Sequence, residues 1–103
     1  SGDDAKNAIE IGVDFLVTPC IEESVLEVAK AYKTPVVCGA ATPTEIWSAF
    51  KQGASLIKLF PNPGVQVLKE IRAPFPDIPL CPTGGITKNT LEEFFAAGAK
   101  AVG

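Results

Sequence analysis

Lys58 stands inside an apolar run, Leu56-Ile57-Lys58-Leu59-Phe60, and in an extended strand it shares a face with Leu56 and Phe60. Burial disfavours the ammonium form, lowers a lysine pKa and leaves a free amine able to attack a carbonyl carbon and form a Schiff base. The alternative is a strand-end lysine whose aliphatic stem covers apolar surface while its ammonium reaches water, and spacing alone admits both. Pro82-Thr83-Gly84-Gly85-Ile86-Thr87 is the second chemical feature. Consecutive glycines at a strand-to-helix turn uncover backbone N–H groups, and the helix N-terminus that they open adds a positive dipole. The turn therefore suits a phosphate, or it is simply a tight turn. In parallel βα proteins the working groups lie at the carboxyl ends of strands, and Lys58 and the glycine turn both fall on that side.

Other reactive residue types carry weaker signals. Cys20, Cys38 and Cys81 fall at the ends of three strands, but without any histidine and without C-x-x-C spacing they read as small buried residues rather than as a metal site. Trp47, with Ile46, Ala49 and Phe50, reads as the core-facing stripe of a helix. Glu22, Glu23, Glu27, Glu92 and Glu93 read as solvated helix faces, and none is a candidate acid or base.

The elements that must position Lys58 and the glycines recur in order. Phe15-Leu16-Val17, Pro35-Val36-Val37, Leu56 to Phe60 and Pro79-Leu80-Cys81 predict strands about 21 residues apart, and Ala101-Val102 predicts the start of a fifth. Between them, Val25, Leu26, Val28 and Ala29, then Ile46, Trp47, Ala49 and Phe50, and later Leu91, Phe94 and Phe95, have helical spacing. Val65 to Arg72 is a shorter helical stretch, delayed by Pro63 and Gly64, and the three prolines between Ala73 and Pro79 exclude a helix there. Thr42-Pro43-Thr44-Glu45 and Thr87-Lys88-Asn89-Thr90 are N-cap chemistry, while Gly12, Gly53 and Gly98 each stand where a helix must close before a strand. Strict alternation predicts an α/β fold of parallel βα repeats with right-handed crossovers, and strands this apolar predict cover on both faces of the sheet.

Composition bounds the rest. The 103 residues make one domain, residues 1–103, and a closed (β/α)₈ barrel needs roughly 200 residues or more, so the chain holds at most part of one. Twelve acidic against nine basic residues, a net charge of −3 and no basic run argue against a nucleic-acid partner. No apolar stretch approaches a membrane span, and the N-terminus carries no secretory pattern, so a cytoplasmic protein with reduced thiols and no membrane association is expected.

Taken together, Val17-Thr18-Pro19, Gly39-Ala40-Ala41-Thr42-Pro43-Thr44-Glu45, Ile57-Lys58-Leu59-Phe60-Pro61, Ala73-Pro74-Phe75-Pro76 and Cys81-Pro82-Thr83-Gly84-Gly85-Ile86 resemble the 2-keto-3-deoxy-6-phosphogluconate (KDPG) aldolase / 4-hydroxy-2-oxoglutarate aldolase family. The resemblance implies a class I aldolase that cleaves a phosphorylated keto sugar acid to pyruvate and glyceraldehyde 3-phosphate without metal or cofactor. It implies Lys58 as the Schiff-base lysine, Phe60, Pro19, Thr42 and Thr83 as substrate contacts, Gly84 and Gly85 as phosphate donors, and Gly39 and Pro43 as parts of the same rim. It also implies a partial barrel, from the helix before strand four to the start of strand eight. The family's proton-moving glutamate and its neighbouring arginine lie on strands not represented here, and so does the Gly-Ser segment after strand eight. The loop after Phe60-Pro61 is shorter than the family's, and Ser1-Gly2 resembles the remnant of a cleaved tag, as an excised fragment would carry. Impaired catalysis is therefore expected, in a homo-oligomer or alongside a complementing barrel fragment. The alternative is a non-catalytic half-barrel or engineered scaffold that folds and self-associates through an open apolar face and free sheet edges.

Overall fold

The computed structural model describes residues 1–103. Helices and strands alternate as α1 (Gly2–Ile11), β1 (Leu16–Thr18), α2 (Glu23–Ala31), β2 (Val36–Ala40), α3 (Pro43–Lys51), β3 (Leu56–Leu59), α4 (Val65–Arg72), β4 (Leu80–Pro82) and α5 (Leu91–Ala96). The turn chemistry accounts for most of these boundaries. Gly12, Gly53 and Gly98 follow α1, α3 and α5 at φ of 108°, 99° and 107°, a region where a side chain is strained, and each releases the chain toward the sheet. The corresponding turn after α2 uses Lys33 at φ 55° instead. Ser1 caps α1 by accepting from the Asp4 N–H, and α4 has the expected bounds.

The four strands form one parallel sheet in the order β1-β2-β3-β4. Side chains alternate across it. Val36, Cys38 and Ala40 of β2, Ile57 and Leu59 of β3 and Leu80 of β4 point to one side, where they pack with Leu26, Ala29, Ile46, Ala49, Leu68, Ile71 and Phe94 of the helices. The opposite face has no helix layer. Val17 is 54% exposed and Phe15, two residues before it, 56%, while Val37 and Leu56 are half-buried. The shortest dimension, 19 Å, fits one sheet under one layer of helices. Cover on both faces, the expectation from strand hydrophobicity, is therefore not met. Apolar strands report that both faces suit an apolar environment, and this chain supplies helices for only one.

Other expectations need adjustment. Lys100 to Gly103 lie along the free edge of β4, with the Lys100 N–H on the Leu80 carbonyl at 2.8 Å and the Gly103 N–H on the Pro82 carbonyl at 3.0 Å. A fifth strand begins there without becoming a regular element. On α3, Ile46 and Ala49 are buried but Trp47 is 48% exposed and Phe50 is also exposed. The indole instead stacks on Phe75 of the proline-rich loop, ring centroids 6.0 Å apart, with the Lys51 Nζ 5.8 Å above it. Phe95 of α5 is likewise exposed beside the buried Phe94.

The proline-rich loop is held by one side chain that the sequence did not single out. Arg72 Nη1 donates to the carbonyls of Phe75, Pro76 and Ile78 at 2.8, 3.1 and 2.6 Å, and Nη2 donates to that of Gly98 at 2.8 Å. Three prolines remove loop donors, so the planar guanidinium supplies them instead. Burial lowers the Arg72 pKa, and Asp77 partly offsets this. The clamp joins the end of α4 to the turns that precede β4 and the edge segment, which sets the height of β4 beside β3.

Candidate functional site

Lys58 faces the uncovered side of the sheet because its neighbours cannot. Ile57 and Leu59 are 0% and 1% exposed beneath the helices, which leaves Leu56, Lys58 and Phe60 on the opposite face. The register places Gly39 of β2 on one side of Lys58 and Cys81 of β4 on the other. Gly39 is required by packing: a Cβ there would fall on the carbonyl of Pro19, which closes over the end of β2. Pro19 is thereby brought beside the lysine row although it follows β1. The Lys58 Nζ lies 5.5 Å from the centre of the Phe60 ring, within cation–π range.

Lys58 is half-buried and no cleft encloses it. The dry surroundings expected from its apolar run are absent, because the face it occupies is open. What the structure gives it is position: a lysine on a sheet face, with the short glycine and small thiol neighbours leaving room around its stem.

Thr83 and the glycine turn adjoin the same row. The Thr83 N–H donates to the Leu59 carbonyl at 3.0 Å, continuing the β3–β4 pairing, and its Oγ1 donates to the Cys81 carbonyl at 3.1 Å. By strand spacing, Thr83 sits about 8 Å from Lys58 between Cα atoms, two residues along and one strand across. Gly84 and Gly85 follow at φ of 112° and 67°, exposed. The Gly84 N–H is engaged by the Gly103 carbonyl at 3.1 Å, whereas the N–H groups of Gly85 and Ile86 have no partner in the chain. The glycines do not open a helix as expected. α5 starts only at Leu91, after a turn in which the Thr90 hydroxyl accepts from the Thr87 N–H at 3.0 Å. Any anion affinity of this turn comes from its free N–H groups.

Thr42 lies at the carboxyl end of β2, but its side chain belongs to α3. Its Oγ1 accepts from the Glu45 N–H at 3.3 Å and donates to Glu45 Oε1 at 3.0 Å, and the same oxygen takes the N–H groups of Ala41 and Thr42 at 3.1 and 3.0 Å. Pro43 is the first residue of the helix. The three thiols do not converge. Cys38 faces the helices, where burial pushes its pKa up, Cys81 faces Lys58, and Cys20 is exposed. One residue that the sequence reading passed over joins the two halves of the site: Asn62, whose Nδ2 donates to the Gly84 carbonyl at 2.7 Å. The Asn62-Pro63-Gly64 turn signal was the cue available for it.

The chain that carries this arrangement, an amine on the open face of a parallel sheet next to a glycine turn with free donors, matches known proteins along its whole length. The family model for KDPG and KHG aldolases matches residues 1–103. The chain belongs to the KDPG and KHG aldolase family. The 2-dehydro-3-deoxy-phosphogluconate aldolase of Pseudomonas aeruginosa is 38% identical over 92 residues, 86% of this chain and 42% of that protein. The 2-dehydro-3-deoxy-6-phosphogalactonate aldolase of Escherichia coli is 35% identical over 96 residues, 90% of this chain and 47% of that one. Among solved structures, a native KDPGal structure superposes with a TM-score of 0.93 at 31% identity, covering all of this chain and 52% of its own. The KDPG aldolase of Legionella pneumophila, solved with pyruvate captured as a covalent carbinolamine, superposes at 0.86 and 26% identity with the same coverage. The family members are TIM-type barrels, and this chain spans about half the length of the relatives it matches.

The capping box at the rim yields a pH prediction. Hydrogen bonds from the Ala41 N–H first, then from the Thr42 hydroxyl and N–H, hold the Glu45 carboxyl below its ordinary value of 4.5. A depressed folded-state pKa contributes stability that is complete above the unfolded value and fades as pH falls through the folded one. The urea midpoint of the wild-type chain should therefore drop more between about pH 6 and about pH 3 than that of Glu45→Gln. Parallel drops in the two proteins would show that the carboxylate contributes nothing to the rim.

Proposed function

We propose that the chain carries the nucleophile of a Schiff-base aldolase acting on a phosphorylated 2-keto-3-deoxy sugar acid, cleaved to pyruvate and glyceraldehyde 3-phosphate. The observation that carries the reading is Lys58 on the open sheet face, one strand and two residues from Thr83 and the glycine turn. The Lys58 amine attacks the keto carbon to give a carbinolamine, and loss of water gives the imine. The protonated imine then accepts the electron pair of the C–C bond that breaks, leaving an enamine that is protonated and hydrolysed to pyruvate. Capture of pyruvate as a carbinolamine in the Legionella pneumophila relative supports this order of steps.

The remaining roles are those that the resemblance implies, and the positions of the residues are compatible with them. In this reading Phe60 flanks the Lys58 side chain, Pro19 and Thr42 border the carboxyl end of β2, and Thr83, beside Phe60 on the next strand, contacts the substrate. Gly85, rather than Gly84, offers the free N–H to the phosphate, since the Gly84 N–H is already bound to Gly103. Free thiols at Cys20, Cys38 and Cys81 suit a reducing cytoplasmic setting. Imine formation needs only the lysine, whereas cleavage needs a group to move protons, and such a group contributes roughly 10² to 10⁴ in rate. The expectation for these 103 residues is imine formation with slow turnover. Pyruvate with borohydride should attach one reduced pyruvate to Lys58 and none to a Lys58→Met variant. A folded chain left unmodified at Lys58 would overturn the assignment.

A second reading, a half-barrel that self-associates without catalysis, is favoured by Phe15, Val17 and Phe60, each more than half exposed on one face, and by the free edge of β1. Covering that face with a second copy would remove apolar surface from water and pair strand edges. Sedimentation at micromolar concentration should show a dimer or larger species, and a persistent monomer would contradict this reading.

A further inference from the structure

The Thr83-Gly84-Gly85 turn is gripped from two sides, which leaves the Gly85 and Ile86 N–H groups free to meet a ligand and fixes the direction of the first. The Gly84 N–H is bound to the Gly103 carbonyl at 3.1 Å, and the Gly84 carbonyl is bound by Asn62 Nδ2 at 2.7 Å. The Gly84–Gly85 peptide is trans, the Phe60–Pro61 bond being the one cis peptide of the chain. In a trans peptide the C=O and the following N–H point in opposite directions, so whatever holds the Gly84 oxygen aims the Gly85 N–H. That N–H has no partner in the chain.

The Asn62 carboxamide is itself held. Its Oδ1 accepts from the Gly64 N–H at 3.0 Å, which closes an Asx turn and leaves Nδ2 directed at Gly84. The donor and acceptor pattern assigns the two ends of the amide without ambiguity, since an N–H needs the oxygen and a carbonyl needs the nitrogen. Asn62 follows the lysine strand by three residues and is half-buried, so its anchor moves with β3. A donor on the Gly84 oxygen also polarises the peptide and strengthens its N–H as a donor.

We propose that Asn62 is a positioning residue that sets the direction of the Gly85 N–H, and through it the phosphate end of the substrate relative to Lys58. This rests on the phosphate role proposed above for the turn. The short loop after Phe60-Pro61 then has a use, because it brings an amide side chain from just beyond the lysine strand onto the anion-binding peptide.

The test follows the Gly85 amide of the isotope-labelled full chain by NMR during titration with inorganic phosphate. In the wild type the Gly85 resonance should move saturably, and in Asn62→Ala the dissociation constant should rise about tenfold, the loss expected when a hydrogen bond supporting a charged contact is removed. Asn62→Asp keeps an acceptor for Gly64 and can donate to Gly84 only when protonated. Its phosphate affinity should be poor near pH 6 and recover toward pH 4, a dependence the wild type lacks. A wild-type chain whose Gly85 resonance ignores phosphate would overturn the phosphate role itself. Wild-type affinity in both variants would overturn the role of Asn62 alone. Collapse of the β2 and β3 amide spectrum in the variants would assign Asn62 to the fold and overturn the positioning role as well.

Discussion

The structure depends on the alternation of side chains along β3. Ile57 and Leu59 are buried beneath the helices, each contributing about 2–3 kcal/mol by leaving water, and Lys58 between them is thereby forced to the other face. A slip of one residue would expose both apolar side chains and push an ammonium into the core, two penalties of the same sign. The parallel pairings to β2 and β4 carry this choice outward. Gly39 and Cys81 become the neighbours of Lys58, and Thr83 becomes that of Phe60. Lys58 and the Thr83-Gly84-Gly85 turn thus share a face because the core on the opposite face admits no other register.

That face is also the one that the chain leaves uncovered. A lysine on an open sheet meets water, and the low dielectric that sharpens electrostatic contacts in an enclosed site is missing. Relatives roughly twice as long belong to closed TIM-type barrels, in which the equivalent face is interior. The placement of Lys58 beside the glycine turn is therefore separable from the enclosure that a closed barrel provides. The first resides in β2 to β4, and the second needs further strands.

Local signals in the sequence were read well where one or two residues dictate the backbone. Gly12, Gly53 and Gly98 sit at positive φ after helices, Thr42 and Glu45 form a capping box, and α4 runs between its predicted limits because Pro63-Gly64 and the later prolines bound it. Patterns that depend on what lies above a surface were read poorly. Apolar strands implied two covered faces, and the stripe on α3 implied buried Trp47 and Phe50, yet hydrophobicity records compatibility with burial without saying whether a neighbour exists. The least legible features were polar clamps between distant segments. Arg72 reaches 26 residues along the chain to Gly98, and Asn62 reaches 22 residues to Gly84, and neither contact has a local pattern. The same long-range effect separated Gly84 from Gly85, which look equivalent as Gly-Gly but differ because Gly103 comes to rest beside one of them.

The central claim is that Lys58 projects from the uncovered face toward the glycine turn, and proton–proton contacts from its side chain test it most directly. Nuclear Overhauser effects measured in the folded chain should connect the Lys58 methylenes to Phe60, Cys81 and Thr83. Contacts instead to Ile46, Ala49 or Leu68, the residues beneath Ile57 and Leu59, would place the amine among the helices and contradict the account.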